Sequence, residues 1–335
     1  MSARPWLTTF LAGALLACGG GAATERPPMA PLPDQAPPPA RAVPKASDLV
    51  KQGEARLQAD DAAGAQALFE QAIAADASDA RAQLDLGIAL EMQDDAAGAE
   101  KAYRRAVEIQ PDLAEALNNL AVLVRVRGDG EEAIALLRRA IEANPGSASA
   151  QANLALALED AGDLDGAEAA YRKALSLQSD DAMARANLGL LLLKRERPDD
   201  AARELKQALP GAKGNRAALL AIGNGLRRAG DAAASVRAMQ GAVEAGEGPT
   251  PALLAELALA QRAAGDRAAA IASLERALSL DERYATGHYL LGNMLAGDGR
   301  AADARTHYKR YLKLEPKGEQ AAKVKEHLKM LDRVR

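Results

Sequence analysis

The chain has 335 residues, is 48% hydrophobic but only 3% aromatic, and carries 42 basic against 46 acidic residues for a formal charge of -4. Rich in alanine and poor in aromatics, it suits closely packed helices better than one thick core, which needs large side chains at its centre. The near balance of charge argues against a nucleic-acid binder, which needs a clustered basic surface to displace phosphate counterions.

The opening MSARPWLTTFLAGALLAC has one arginine, Arg4, and then an apolar run from Trp6 to Ala17. A membrane helix needs about 20 apolar residues to cross roughly 30 Å of hydrocarbon, and this run is shorter. Its length and small final residue are those of a secretory signal. Leu15-Leu16-Ala17-Cys18 resembles the bacterial lipobox, in which the cysteine thiol is lipidated before the peptide is cut on its amino side. The resemblance implies a signal peptide over residues 1–17 and a lipid on Cys18; the other reading is an ordinary cleaved signal with an incidental cysteine. Cys18 is the only cysteine, so it has no intramolecular disulfide partner. By the same resemblance, the lack of Asp at position 19 favours an outer-membrane lipoprotein facing the periplasm of a Gram-negative cell.

Residues 18–45 read as a linker. Eight of the 16 prolines lie between Pro27 and Pro44. Such runs favour an extended backbone of ~3.1 Å per residue, hence a semi-rigid spacer. A proline-rich ligand for an aromatic groove is the alternative.

From Ala46 the chain repeats on a 34-residue step, with blocks beginning at Ala46, Ala80, Ala114, Ala148, Ala182 and Arg216, then, after one extra residue, at Pro251 and Ala285. Small residues hold the register. The eighth position carries Gly53, Gly87, Ala121, Ala155, Gly189, Gly223, Ala258 and Gly292. The twentieth carries Ala65, Ala99, Ala133, Ala167, Ala201, Ser235, Ala270 and Ala304. The twenty-seventh carries Ala72, Ala106, Ala140, Ala174, Ala208, Ala242, Ala277 and then Tyr311. Each block holds two runs of helical periodicity, such as Leu117, Leu120 and Val124 followed by Ile134, Leu137 and Ile141. Gly128 separates those two runs, and Pro111, Pro145 and Pro316 stop second helices. Only Gly, Ala or Ser fits where two helices cross closely, which accounts for the three small positions. A hairpin that cannot bury its apolar face alone stacks on a copy of itself.

This pattern resembles the tetratricopeptide repeat family across Ala46–Gly318. The resemblance implies an all-α solenoid: a right-handed superhelix of about eight helix pairs over residues 46–318, whose first helices line a concave groove for a protein or extended peptide. Residues 319–335 are expected to form a capping helix over Gln320–Arg333, with Ala321, Val324, Leu328 and Leu331 inward. Polar Gln52 and Arg56 suit an end repeat. Leu209-Pro210-Gly211 and Gly246–Pro251 cut second helices short, predicting a bend or softer joint between repeats one to five and six to eight.

Asn119, Asn153 and Asn187 stand at the sixth position of three consecutive repeats. An amide offers a donor and an acceptor, so the three form a ladder able to pair with a peptide backbone or to brace neighbouring helices. Asparagines at this place often contact peptides in the family, so the resemblance supports the first role. Ile88, Val122, Leu156 and Leu190, at position nine, are either an apolar groove floor or interhelix packing. Lys194, Arg227, Arg228 and Arg262 form either a functional basic stripe or solvated helix ends. The Lys/Asn pattern of the family's chaperone-tail carboxylate clamps is not reproduced.

His288, His307 and His327 lack zinc-ligand spacing, and Gly223–Gly230 lacks P-loop and dinucleotide spacing. No catalytic residue, metal or cofactor is expected. Three functions remain: a lipid-anchored envelope scaffold of pilotin-like or motility-related layout, a substrate-presenting subunit of a cell-wall or polysaccharide enzyme, or a cytoplasmic adaptor.

Overall fold

The computed structural model describes residues 45–246 and 248–333. The signal, Cys18 and the linker up to residue 44 lie outside the described residues.

Seventeen helices and no strand occur among the described residues. The first four pairs are α1 Ala46–Gln58 with α2 Ala62–Ala75, α3 Ala80–Glu91 with α4 Ala96–Ile109, α5 Ala114–Arg127 with α6 Gly130–Ala143, and α7 Ala148–Asp160 with α8 Leu164–Leu177. The next four are α9 Ala182–Lys194 with α10 Pro198–Ala208, α11 Arg216–Arg228 with α12 Ala232–Glu244, α13 Pro251–Ala263 with α14 Arg267–Leu280, and α15 Ala285–Gly297 with α16 Ala301–Leu314. α17, Ala321–Arg333, closes the series. Every expected block start is the first residue of a first helix.

The hairpin turns follow one rule. The fifteenth residue of all eight repeats takes positive φ: Gly128, Gly162, Gly230, Gly265 and Gly299 in five, Asp60, Asp94 and Glu196 in the others. Glycine adopts that conformation without a Cβ clash, whereas Glu196, at φ 57°, stores strain. The next residue is usually an aspartate. Asp61, Asp95, Asp163, Asp231 and Asp266 each accept a backbone N–H of the second helix's first turn. In α10 that place is taken by Arg197, which pairs with Asp200 at the helix start and with Glu168 of α8.

Packing within each pair depends on position eight. Gly87 lies under the Tyr103 ring, where a Cβ would come within 2.3 Å; Gly53 and Phe69 (2.4 Å) and Gly292 and Tyr308 (2.7 Å) repeat the arrangement. The alanines at positions twenty and twenty-seven are wholly buried, from Ala65 and Ala72 to Ala277 and Ala304. The apolar clusters run from one pair into the next, so no pair has a closed core of its own.

α17 caps the last pair. Ala321 and Val324 are buried, with Leu328 and Leu331 packed beside them. Tyr311, which replaces the small residue, is buried against this helix and its hydroxyl accepts the Gln320 N–H at 3.1 Å. At the other end Gln52 and Arg56 are exposed.

The two interruptions are tied rather than slack. α10 does stop early, but Ala212 is buried and Gly211 packs so closely on Ala182 that a Cβ would lie 2.6 Å from it. At the second, the Arg216 guanidinium donates to the carbonyls of Ala242, Ala245 and Gly248. One buried cluster continues from Ala186 of α9 to Leu253 of α13. Packing is thus continuous across the expected bend or softer joint, because a small residue in one turn and an arginine in the other replace the missing helical turns.

Gly87→Ala gains helix propensity but drives a methyl into a buried ring that cannot turn aside. It is expected to cost about 1–3 kcal/mol of stability; an unchanged or raised melting temperature would show that the crossing has room to spare.

Candidate functional site: the inner face of the first helices

First helices touch the first helices of neighbouring repeats, as in α1 with α3, α5 with α7, α9 with α11, α11 with α13 and α13 with α15. Second helices pack instead on the first helices to either side. This puts the first helices on the shorter, inner side of the stack. Positions five, six, nine, twelve and thirteen of each repeat share that side, since residues three and four apart lie on one helix face.

The amides do not stand as three equal rungs. Asn153 Nδ2 donates to Asn118 Oδ1 at 2.9 Å across α7 and α5, and Asn118 Nδ2 donates to Asn119 Oδ1 at 3.1 Å. Asn119 and Asn153 are therefore joined through Asn118, a residue the 34-step reading passed over although it is adjacent in sequence. Asn187 is half-buried and makes no side-chain hydrogen bond among the described residues. Ile88, Val122, Leu156 and Leu190 are all half-buried. Ile88, Leu156 and Leu190 pack on the interhelix clusters, and Leu190 also meets Gly225 of α11. They are packing residues with one edge on the groove. In repeats six and eight position nine becomes Asn224 and Asn293, three residues beyond the place of the other amides in the repeat.

Second helices reach through to fix polar groups on this face. The Tyr103 hydroxyl donates to Glu91, that of Tyr171 to Glu159 Oε2 at 3.5 Å, and that of Tyr308 to Asn293 Oδ1 at 2.8 Å. Burial of Tyr103, with Glu91 beside it, holds its hydroxyl protonated well above the ordinary range.

The charges are paired over the middle repeats. Arg125 meets Asp160 at 2.7 Å, and Lys194 meets Glu159. Lys194 therefore stands in an ion pair and does not extend a free basic stripe. Arg227 reaches only Asn224 Oδ1 at 3.3 Å, and its buried Nε has no partner. Arg228 and Arg262 are exposed and form no ion pair among the described residues.

Asp85 takes the asparagine place in repeat two and is only 2% exposed. Burial pushes its carboxyl up to about 6, against the pull of Arg81, whose Nε lies 3.2 Å away, and with further push from Glu54 and Glu115. Its Oδ2 has no hydrogen-bond partner.

The histidines pack rather than ligate. His288, 8% exposed, places Nε2 3.0 Å from the Glu282 carbonyl, so that nitrogen carries the proton. Its Nδ1 then accepts from His307 Nδ1 at 2.9 Å. The ring centroids are 5.2 Å apart, so the two nitrogens point head-on, as a hydrogen bond requires and two lone pairs converging on one ion do not. Burial, and then the neighbouring His288 ring, lowers the His307 pKa. Among the described residues no group of three or more His, Cys, Asp or Glu is placed to hold a metal.

The raised carboxyl of Asp85 has a definite sign. An unfolded aspartate titrates near 3.8, so this group favours the fold below that pH and the contribution is lost as pH rises through about 6. Asp85→Asn is expected to stabilise the protein at pH 7.5 by about 1–2 kcal/mol, an advantage that shrinks to nothing near pH 4. Thermal melts across that range test it, and parallel curves for the two proteins would place the strain elsewhere.

The tetratricopeptide repeat family model matches residues 50–114, 99–148, 118–182, 152–218, 186–251 and 255–319. No curated protein matches the chain. Among solved structures, a tetratricopeptide repeat protein from Parabacteroides merdae is 17% identical over 75% of this chain and 98% of its own, with a TM-score of 0.52. Yeast Tom70 is 18% identical over 90% of this chain and 67% of its own, with a TM-score of 0.51. The APC/C hetero-tetramer Cut9-Hcn1 gives 18% identity over 84% of this chain and 55% of that one, again at a TM-score of 0.51. These likenesses are of fold alone. With the match running through all eight helix pairs, the chain belongs to the tetratricopeptide repeat family.

Proposed function

We propose that this protein is a scaffold of a bacterial cell envelope, held to a membrane by a lipid on Cys18, that binds an extended segment of a partner protein along the inner face of its first helices. The observation that carries the binding reading is the character of that face. Between its packing positions it leaves the Asn187 amide without an internal partner and exposes apolar side chains, Val126 at 74% and Met183 at 48%. An extended backbone brings unpaired donors and acceptors at regular spacing, and an asparagine amide answers both. The lipobox-like Leu15–Cys18 and the proline-rich spacer support the envelope reading, with the outer membrane as the destination. Pilotin-like lipoproteins that help assemble secretins or motility machines share this layout, and assembly of such a machine is the role we favour.

Asn187→Ala is expected to reduce recovery of the cross-linked partner from envelopes several-fold while leaving the stability within about 0.5 kcal/mol of wild type, since the amide makes no side-chain hydrogen bond among the described residues. Undiminished capture would count against the groove. Cys18→Ser is expected to move the protein from the membrane pellet to the soluble fraction. A diacylated Cys18 in the mass spectrum of wild-type membranes supports the anchor, and tight attachment of the variant removes it.

A further inference from the structure

Resting on the groove reading above, we infer that the part of the inner face formed by repeats six to eight and the cap binds an acidic segment of the partner, with its carboxylates seated on Arg227, Arg228, Arg262 and Lys323.

Positions twelve and thirteen form one row along the stack. Up to repeat five the charges of the row have partners: Glu91 accepts the Tyr103 hydroxyl, Arg125 pairs with Asp160, and Lys194 pairs with Glu159. The two ion pairs also show that side chains in this row reach from one first helix to the next. From repeat six onward the row holds Arg227, Arg228 and Arg262 and then the uncharged Ala296 and Gly297. No acidic residue follows, and none of the three arginines makes an ion pair among the described residues. The half-buried Arg227 guanidinium has only the Asn224 amide oxygen against it, at 3.3 Å.

The row ends in a groove of about 640 Å³ between α13, α15, α16 and α17, lined by Arg262, Tyr289, Asn293, Lys323, His327 and Met330 among others, with no carboxylate in its lining. Its polar groups are turned as donors. Tyr308 gives its hydroxyl proton to Asn293 Oδ1 at 2.8 Å, which leaves the Asn293 NH₂ to donate. Outside the groove, in repeat six, Asn224 Oδ1 is occupied by Arg227, which leaves the Asn224 NH₂. Because the Tyr308 proton is committed, His327 Nδ1, 3.2 Å from that hydroxyl, donates to it. Four cations and two amide NH₂ groups ask for a ligand that only accepts hydrogen bonds and carries negative charge, which is what carboxylates supply.

The ligand is a peptide rather than a longer polyanion. On the other side of Tyr289 and Leu290, a second pocket is lined by Glu256, Glu315 and Glu319, so the basic strip is narrow and bounded by acid. A nucleic acid needs a broader basic surface. Neighbouring first helices lie about 8–10 Å apart. In a polyproline-type backbone rising ~3.1 Å per residue, every third side chain returns to one side over about that distance. Acidic residues at every third position therefore fit successive repeats.

The test uses the full chain and two fluorescein-labelled synthetic 12-residue peptides of Pro, Ala and Ser, one with Glu at every third position and one with Gln there. Fluorescence anisotropy at low and moderate salt is expected to show the Glu peptide binding roughly tenfold more tightly, with the gap closing as salt rises. Arg228→Gln with Arg262→Gln, both exposed and unpaired, is expected to abolish the preference without changing the melt, and the two Lys substitutions at the same places are expected to keep most of it. Equal affinity for the two peptides, or a preference that survives the Gln pair, overturns the inference. Binding to phosphatidylglycerol vesicles with no preference between peptides assigns the cations to lipid headgroups and overturns it too. Partner capture that depends on Asn187 but not on the arginines sinks the acidic segment while leaving the scaffold reading intact; loss of both sinks the two together.

Discussion

Everything in this molecule hangs on how close a first helix approaches its second. Where the two cross, position eight has no side chain or a single methyl, and the large residue on the second helix lies flat against it. Tyr103 fills the space that a Cβ on Gly87 would claim, and Phe69 and Tyr308 do the same over Gly53 and Gly292. Burying one such side chain contributes about 1.5–3 kcal/mol, and eight repeats multiply a contact that no single hairpin completes. A compact core would need many aromatics; this arrangement needs one well-placed ring or aliphatic per repeat.

The same tyrosines link stability to the surface. Having crossed beneath the first helix, the hydroxyls of Tyr103, Tyr171 and Tyr308 emerge beside Glu91, Glu159 and Asn293 and hold those groups in place on the inner face. Charge along the face is arranged by that scaffold and by its neighbours. Over repeats two to five, acids and bases from adjacent helices satisfy one another. Beyond Lys194 positions twelve and thirteen hold no acid, while the cations continue to the cap. One face thus has a self-contained half and a half with unspent charge, and the difference lies in arginines that form no ion pair among the described residues.

Rigidity is distributed more evenly than the chain's punctuation suggests. Proline and glycine after α10 and α12 shorten helices, yet Gly211 draws the turn onto Ala182, and Arg216 gathers three carbonyls that helix termination left open. Breaks in helical periodicity are local events. Whether they loosen a solenoid depends on what fills the gap, and here a close backbone contact and one guanidinium fill it.

The architecture was legible in the order of residues because a repeat converts packing into periodicity. Helix starts at Ala80, Ala114 and Ala148, buried small residues at positions eight, twenty and twenty-seven, and a cap with Val324 inward all follow from spacing alone, since each is imposed by contacts within a repeat or between neighbours of fixed separation. The inner face was legible only in part. Its location is what the family resemblance implies, and periodicity then put Asn119, Asn153, Asn187 and the arginines on it. Their states were decided by contacts between helices: Asn118 joins two of the amides, Glu159 neutralises Lys194, and Arg228 and Arg262 remain unpaired. A polar side chain's partner is set by rotamer and by the few ångströms between adjacent helices, and a linear repeat carries neither.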